Sequence, residues 1–271
     1  MFVDCIIGGA SLSVEQVLSA SFTKLTLGPQ PSQSSTVSVT RSYPHSIQEW
    51  SGFAPEQFEL SMAVVAPLIV KAPLPNELVV RSEAQMENLF IFIIAATLNQ
   101  LHNEIGTIDK RTNVVPAVNS LTKCDEIGHD GNRVFTVQEM KLFNNLIDMP
   151  NDAATISRNY GDGIDLQDEE RDRKWCRVVA QAYGYMLDQG VCYGIISCYN
   201  RTWFIHALGD GIIEISDAFA CDRGGLIRAY ACFMKLAKGD SSVLAPVSKE
   251  NRRISGGAGD GSDYSGESPP D

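Results

Sequence analysis

The sequence predicts an α/β domain over residues 80–238, with a central mixed sheet flanked by helices. Two observations lead to this prediction. Short runs rich in β-branched and aromatic residues recur between positions 114 and 215, and their lengths are typical of strands. Helical patterns beginning near Ser82, Arg173 and Gly225 frame these runs. Helices that alternate with short strands are typical of a layered α/β architecture.

The first predicted helix spans 82–102. Ser82 offers an N-cap hydroxyl, and the apolar run at 89–98 indicates that the helix is buried. A membrane-spanning helix needs about 20 apolar residues, so this run is too short to be one. We therefore expect no membrane association.

Strands are predicted next at 114–118, 124–129 and 133–140. The sequence His129-Asp130-Gly131-Asn132 has the chemistry of a hairpin turn between the last two. Residues 150–172 are polar and acidic, which predicts an exposed loop. The later elements are a helix at 173–188, strands at 192–198, 202–206 and 211–215, and a closing helix at 225–237.

The flanks of this domain are expected to be small or irregular. Residues 1–27 form a small N-terminal segment, with a strand at 2–7 and a helix at 13–20. Residues 28–79 read as a linker and irregular approach, because Pro, Ser and Thr dominate their beginning. The Ser-, Gly- and Asp-rich stretch 239–271 is expected to be a disordered acidic tail.

Charge and cysteine content limit the classes of function. The formal net charge is −11, so any nucleic-acid contact needs a local basic groove rather than a basic surface. The seven cysteines form no C-x-x-C pair and lie mostly in apolar runs, which indicates reduced core residues in an intracellular, reducing compartment. The acidic Asp4 and the lack of a basic n-region argue against a Sec signal peptide.

Two opposite charges stand at the end of the predicted strand 133–140. Glu139 and Lys141 are two residues apart, so on a strand they face the same side. A carboxylate there can ligate a hard divalent ion while the lysine polarises a water or a phosphate oxygen. For these two residues alone, an exposed ion pair is the competing interpretation.

Asp125, on the preceding strand, supplies the second carboxylate that such a site requires. A three-residue turn would pair His129 with Arg133 and Asp125 with Val137, placing Asp125 diagonally across from Glu139 on the same face. A two-residue turn would put the carboxylates on opposite faces. Asp130 precedes a glycine and is interpreted as a turn residue.

Gln181 and Tyr185 are four residues apart on the predicted helix 173–188, so they project from one face. Asp125, Glu139-Met140-Lys141 and the stretch 181–186 are followed by 193–204, which reads YGIISCYNRTWF. Together these motifs resemble the RecB-type PD-(D/E)xK domain, in the version found in Crinkler-type effectors and beside fungal-type protein kinases. The resemblance covers roughly residues 80–238.

The resemblance implies a restriction-endonuclease-like core and a metal-dependent nuclease. It makes Asp125 and Glu139 ligands of Mg²⁺ or Mn²⁺ and Lys141 the residue that stabilises phosphate. Glu83 matches an acidic position of the first helix, and Gln181 and Tyr185 match a Q-x-x-x-Y element. The effector relatives also imply non-classical secretion and delivery to the nucleus of a host cell.

The sequence leaves two classes of function. The first is a phosphodiesterase that acts on nucleic acid, with DNA as the expected substrate. The second is an inactive nuclease-fold module that binds nucleic acid or a protein partner, and a homo-oligomer fits either class. A kinase is excluded because its catalytic-loop and glycine-loop motifs are absent. The scattered histidines argue against a zinc site.

Overall fold

A computed structural model gives the structure of the chain. It describes residues 2–5, 14–28, 42–59, 70–73, 79–110, 124–131, 133–161 and 173–245. The predicted strand at 114–118 and most of the predicted acidic tail, residues 246–271, lie outside the described residues, as does much of the predicted linker.

The strands of the described residues begin with short pieces. These are β1 (Phe2–Cys5), β2 (Thr26–Leu27), β3 (Ser46–Glu49), β4 (Val70–Pro73) and β5 (Val79–Val80). The strands of the predicted domain follow. They are β6 (Thr107–Lys110), β7 (Glu126–His129), β8 (Val134–Met140), β9 (Tyr193–Ser197), β10 (Arg201–Gly209), β11 (Ile212–Ile215) and β12 (Phe219–Ala220).

The helices are α1 (Val14–Leu18), α2 (Glu83–Phe90), α3 (Ala96–Leu98), α4 (His102–Ile105), α5 (Ala153–Tyr160), α6 (Lys174–Gln189) and α7 (Leu226–Gly239). A π-helical turn at Ile91–Ala95 joins α2 to α3, and a 3-10 turn at Asn99–Leu101 joins α3 to α4. Ser82 caps α2, since its hydroxyl accepts the backbone N–H of Gln85 at 3.3 Å. The predicted first helix is therefore present, with two changes of helical pitch.

Eight of the described strands form one mixed sheet, in the order β3-β11-β10-β9-β8-β7-β6, with β12 paired to β10. The pairs β8–β9 and β3–β11 are parallel, and the other pairs in this sheet are antiparallel. The predicted α/β architecture with a central mixed sheet flanked by helices is confirmed.

The two longest helices cover opposite faces of the sheet. A Cβ on Gly194 would lie 2.5 Å from Met186 of α6, whereas a Cβ on Gly128 would lie 2.8 Å from Met234 of α7. These glycines pair with the β8 neighbours Val137 and Thr136, respectively. Successive residues of a strand point to opposite faces, so α6 and α7 sandwich β8.

Several elements differ from the sequence-based expectation. Strand β3 comes from the segment predicted to be a linker, yet it pairs with β11 and forms an edge of the central sheet. Helix α5 lies in the segment 150–172, which was predicted to be a loop, so that prediction is wrong for 153–160. Asp152 caps α5 by accepting the N–H of Thr155 at 2.8 Å. Residues 162–172 are outside the described part.

The core is apolar, and its cysteines match the prediction. The six cysteines whose side chains are described are all buried and free of disulfides. Two of them follow or precede strands at the middle of the sheet, Cys198 after β9 and Cys124 before β7. Within the described residues, no helix is long and apolar enough to cross a membrane.

Candidate functional site

The predicted hairpin is present, in a register shifted by two residues. Strands β7 and β8 are antiparallel, with Glu126 opposite Gln138. This register sets Asp125 opposite Glu139, and the Asp125 N–H donates to the Gln138 carbonyl at 3.2 Å. The expected pairing of Asp125 with Val137 is therefore wrong.

The turn explains the shift. His129 pairs with Val134 rather than Arg133, and a bulge between Gly128 and His129 adds a second residue of offset. Asp130 holds the turn, because its Oδ1 accepts the N–H of Arg133 at 3.1 Å. A shift of two residues preserves the facing of every side chain, whereas a shift of one reverses it. Asp125 and Glu139 consequently share a face despite the wrong register.

Glu139 and Lys141 meet on the face covered by α6. Lys141 Nζ contacts Glu139 Oε1 directly and lies 3.8 Å from Glu83 Oε2. The backbone N–H of Lys141 donates to the Ser197 carbonyl at 2.9 Å, which fixes the end of β8 against β9. Glu83 reaches the cluster from the first turn of α2, as the sequence predicted.

Asp125 completes the cluster at its partly exposed side. Its Oδ2 accepts the backbone N–H of Met140 at 2.7 Å, which ties the aspartate to the neighbouring strand. Glu139 is 1% exposed and Lys141 is 4% exposed, whereas Asp125 is half-buried. Three carboxylates therefore share one lysine, and the cluster is open to solvent at Asp125 and at Glu83.

The electrostatics of this charge cluster, Glu83, Asp125, Glu139 and Lys141, follow from its burial. Desolvation, reinforced by the nearby Asp125, raises the pKa of Glu139 well above its usual range. Desolvation also raises the pKa of Asp125 to about 7, although Lys141 and the Met140 N–H oppose it. Burial alone would lower the pKa of Lys141, but Glu139 and Asp125 outweigh it and the pKa is raised. The lysine therefore stays charged, while the acids cannot all ionise without a further cation.

Gln181 and Tyr185 of α6 lie over the same face and are both buried. Gln181 Nε2 donates to Tyr185 Oη at 2.8 Å, so the phenol keeps its own proton available for donation. Burial, with a contribution from Glu139, raises the pKa of Tyr185 to about 12. All six residues predicted for the site thus occupy one region of the fold.

Glu126 was not singled out by the sequence analysis. It is 0% exposed and faces α7, on the side of the sheet opposite to the charge cluster. Within the described residues neither of its carboxylate oxygens has a hydrogen-bond partner. Burial, together with Asp125 and Glu87, raises its pKa well above the usual range. The sequence did contain a signal for this position. Glu126 follows Asp125 directly, and because side chains alternate along a strand it had to face the other side of the sheet.

The donor set suits a site with two carboxylate ligands. Glu139 Oε1 contacts Lys141, and Oε2 is buried without a hydrogen-bond partner in the described part of the chain. Among the described residues, no group of three or more His, Cys, Asp or Glu side chains is arranged to hold a metal ion. Asp125 and Glu139 stand opposite each other on one face of the hairpin and offer hard oxygen ligands there.

Comparison with protein-family models, with curated proteins and with solved structures gives no match for this sequence.

Proposed function

We propose that the protein is a divalent-metal-dependent phosphodiesterase that cleaves DNA, built on a restriction-endonuclease-like core. One observation carries the proposal. The charge cluster gathers three carboxylates, of which Glu139 is fully buried, around one lysine, so full ionisation of the acids would leave an excess of negative charge in a site of low polarity. Buried charges are stable only when they are paired, so a cation on the open Asp125 side would complete the cluster.

Asp125 and Glu139 would hold that ion, since their carboxylates share a face and Glu139 Oε2 has no hydrogen-bond partner within the described residues. Bound Mg²⁺ or Mn²⁺ supplies a Lewis acid that makes water a stronger nucleophile and neutralises charge on a phosphate. Glu83 keeps the lysine in place from the side of α2. The remaining chemistry belongs to the chain's own donors.

Lys141 serves as a fixed positive charge rather than as a base, because its pKa is raised and it remains protonated. From its position beside Glu139, its ammonium can donate to a phosphate oxygen as charge builds there. Tyr185 also stays protonated at neutral pH, and Gln181 holds its hydroxyl by donating to Oη. Gln181 and Tyr185 are therefore positioning residues, which orient donors toward Glu139 and the phosphate.

A plasmid-nicking assay on the full chain tests the proposal. The wild-type protein should nick supercoiled plasmid DNA with Mg²⁺ or Mn²⁺ and not with a chelator. Asp125→Asn, purified identically, should reduce the rate by about 100-fold or more, because it removes charge from a metal ligand. Equal nicking by wild type and Asp125→Asn would assign the activity to a contaminant. No nicking by wild type with either metal would contradict the proposal.

One observation favours the second candidate, an inactive nuclease-fold module. Lys141 contacts Glu139 directly, so part of the cluster's negative charge is already neutralised by the chain itself. Isothermal titration with Mg²⁺ and Mn²⁺ separates the two candidates. The phosphodiesterase requires a binding isotherm that disappears in Asp125→Asn, and the inactive module requires that none be seen.

A further inference from the structure

A cavity of about 520 Å³ opens beside the charge cluster. This volume lies in the range of small-ligand sites, about 300 to 1,000 Å³. Its wall combines the N-terminal segment at 24–27 with the turn between β9 and β10 and with residues just after β8. The cavity is thus formed partly by the chain outside the predicted domain.

The cavity adjoins the charge cluster through three elements. Met86, which lines it, is one helical turn after Glu83 on α2. Phe143, also in the wall, stands two residues after Lys141. Cys198 follows Ser197, whose carbonyl accepts the Lys141 N–H. A ligand in the cavity would therefore extend from the end of β8, where the candidate catalytic groups lie.

The wall of the cavity is positively charged, whereas the whole protein is acidic. Lys24, Arg201 and Arg223 line the cavity, and no acidic side chain does so within the described residues. The whole chain carries a net charge of −11. Lys24 forms an exposed ion pair with Asp222, which does not line the cavity, since its Nζ lies 2.9 Å from Asp222 Oδ2. Such a local concentration of cations attracts a phosphate-bearing ligand.

The wall is held in place by paired hydrogen bonds. Asn200 Oδ1 accepts the Leu25 N–H at 2.8 Å, and Asn200 Nδ2 donates to the Leu25 carbonyl at 2.8 Å. Further along, the Gly28 N–H donates to the Val80 carbonyl at 2.8 Å. These bonds fix the N-terminal segment against the sheet, so the cations stand on an ordered wall.

An aromatic group and a guanidinium lie together in the wall. The Arg201 guanidinium carbon is 5.3 Å from the centre of the Phe143 ring. Aromatic rings and arginine planes are the surfaces on which unpaired bases stack in single-strand-binding proteins. The cavity thus offers a stacking surface for a base together with cations for a phosphate.

We propose that this cavity holds one unpaired nucleotide of the nucleic-acid strand that is cleaved. Its base would lie against Phe143 and Arg201, and its phosphates would contact Lys24 and Arg223. The inference rests on the proposed function for the position of the scissile bond, but binding itself requires no metal. A cavity of this size takes a single nucleotide and excludes a base-paired duplex, so the preferred substrate offers an unpaired nucleotide.

The test measures fluorescence anisotropy of the full chain with labelled DNA in a chelating buffer. The probes are a single strand of about ten nucleotides, within the site sizes known for single-strand binders, and a blunt hairpin duplex of matched sequence. The variants are the double change Lys24→Gln with Arg223→Gln, and Asp222→Asn. Lys238→Gln is the control for a single lost lysine charge, because Lys238 lies in the last turn of α7 and does not line the cavity.

The wild-type protein should bind the single strand at least tenfold more tightly than the duplex, roughly the effect of one stacked base. The double variant should weaken binding of the single strand about tenfold, since it removes two charged donors to phosphate. Asp222→Asn should tighten binding about threefold by freeing Lys24 from an exposed ion pair. Lys238→Gln should bind like the wild type.

Equal affinity for single strand and duplex would overturn the inference, and so would a double variant that binds like Lys238→Gln. Competition by a free mononucleotide at the same concentration as the oligonucleotide would also overturn it, because the cavity would then be a mononucleotide site. Nicking assays on the same preparations separate the two proposals. If the protein binds the probes as expected but does not nick DNA, only the phosphodiesterase proposal is removed. If the protein nicks DNA but the double variant binds like the wild type, only the cavity assignment is removed.

Discussion

The two faces of the β7–β8 hairpin bury carboxylates in opposite ways. On the α6 face, Glu139 contacts Lys141 and shares it with Asp125. On the α7 face, Glu126 has no hydrogen-bond partner within the described residues, and Lys110 opposes its raised pKa only weakly. The difference shows that burial of an acid is not sufficient to define a site. A convergent set of charges and an opening to solvent distinguish the α6 face.

The largest expected effect is a loss of nicking activity that occurs only when the acid on the α6 face is changed. Glu139→Gln should lower metal-dependent nicking by about 100- to 1,000-fold, since it removes a charge that acts on the phosphate through the ion. Glu126→Gln makes the same chemical change on the opposite face and should stay within about twofold of wild type, a change of about 0.4 kcal/mol, because its side chain faces α7 and not the charge cluster. Gel-based nicking rates measure both. Equal losses in the two variants would erase the distinction between the faces.

Stability should respond next most strongly to the loss of the shared lysine. Lys141→Met should lower the free energy of unfolding by about 3 kcal/mol, because it leaves buried carboxylates without their cation. Urea denaturation at pH 8 without metal measures the loss. The double variant Lys141→Met with Glu139→Gln should recover part of it, and no recovery would mean that the two side chains are not coupled.

On the α7 face, a substitution that removes the charge should raise the free energy of unfolding instead of lowering it. The pKa of Glu126 is raised above its unfolded value, so its contribution to stability is present at low pH and is lost as pH rises. Glu126→Gln should therefore stabilise the protein by about 1 to 2 kcal/mol at pH 8, with the gain shrinking toward pH 4.5. Urea denaturation at the two pH values gives the difference. A destabilised variant at pH 8 would indicate that the carboxylate has a partner after all.

Mg²⁺ binding at the charge cluster on the α6 face should depend on pH. The pKa of Asp125 is raised to about 7, and a metal ligand must be deprotonated. Mg²⁺ affinity should therefore fall by about tenfold for each unit of pH below 7 through the proton on Asp125, and Glu139, whose pKa is also raised, should steepen the fall. Isothermal titration at pH 6, 7 and 8 records the trend. A flat profile would exclude Asp125 as the ligand that titrates.

The smallest effect is expected from the positioning pair on α6. Tyr185→Phe removes the acceptor of the Gln181 hydrogen bond and one donor near Glu139. The free energy of unfolding should change by about 1 kcal/mol, the usual value of one hydrogen bond. The nicking rate should fall by about three- to tenfold, because one hydrogen bond of the usual strength is lost. The Mg²⁺ affinity should stay unchanged. A loss of Mg²⁺ affinity instead would place Tyr185 among the groups that hold the ion.

Local pattern was enough to predict most elements of the domain and the facing of two residue pairs, whereas Glu83 was expected only from the resemblance. The i, i+2 spacing of Glu139 and Lys141 and the i, i+4 spacing of Gln181 and Tyr185 fix facing within a strand and a helix, and neither depends on distant contacts. The N-cap at Ser82 and the amphipathic helix at 173–188 were predicted for the same reason. The predicted facing of Asp125 also held, because the error in register was two residues.

Tertiary structure decided the long-range contacts, which local sequence patterns cannot predict. Strand β3 has too few residues to signal its place, and only its pairing with β11 brings a predicted linker into the sheet. The N-terminal segment reaches the cavity through Asn200, a contact across most of the chain's length. The sequence by itself determined which side chains face together. Long-range packing decided that Glu83 of α2 joins Glu139 and Lys141 on one face, because such contacts depend on the whole fold.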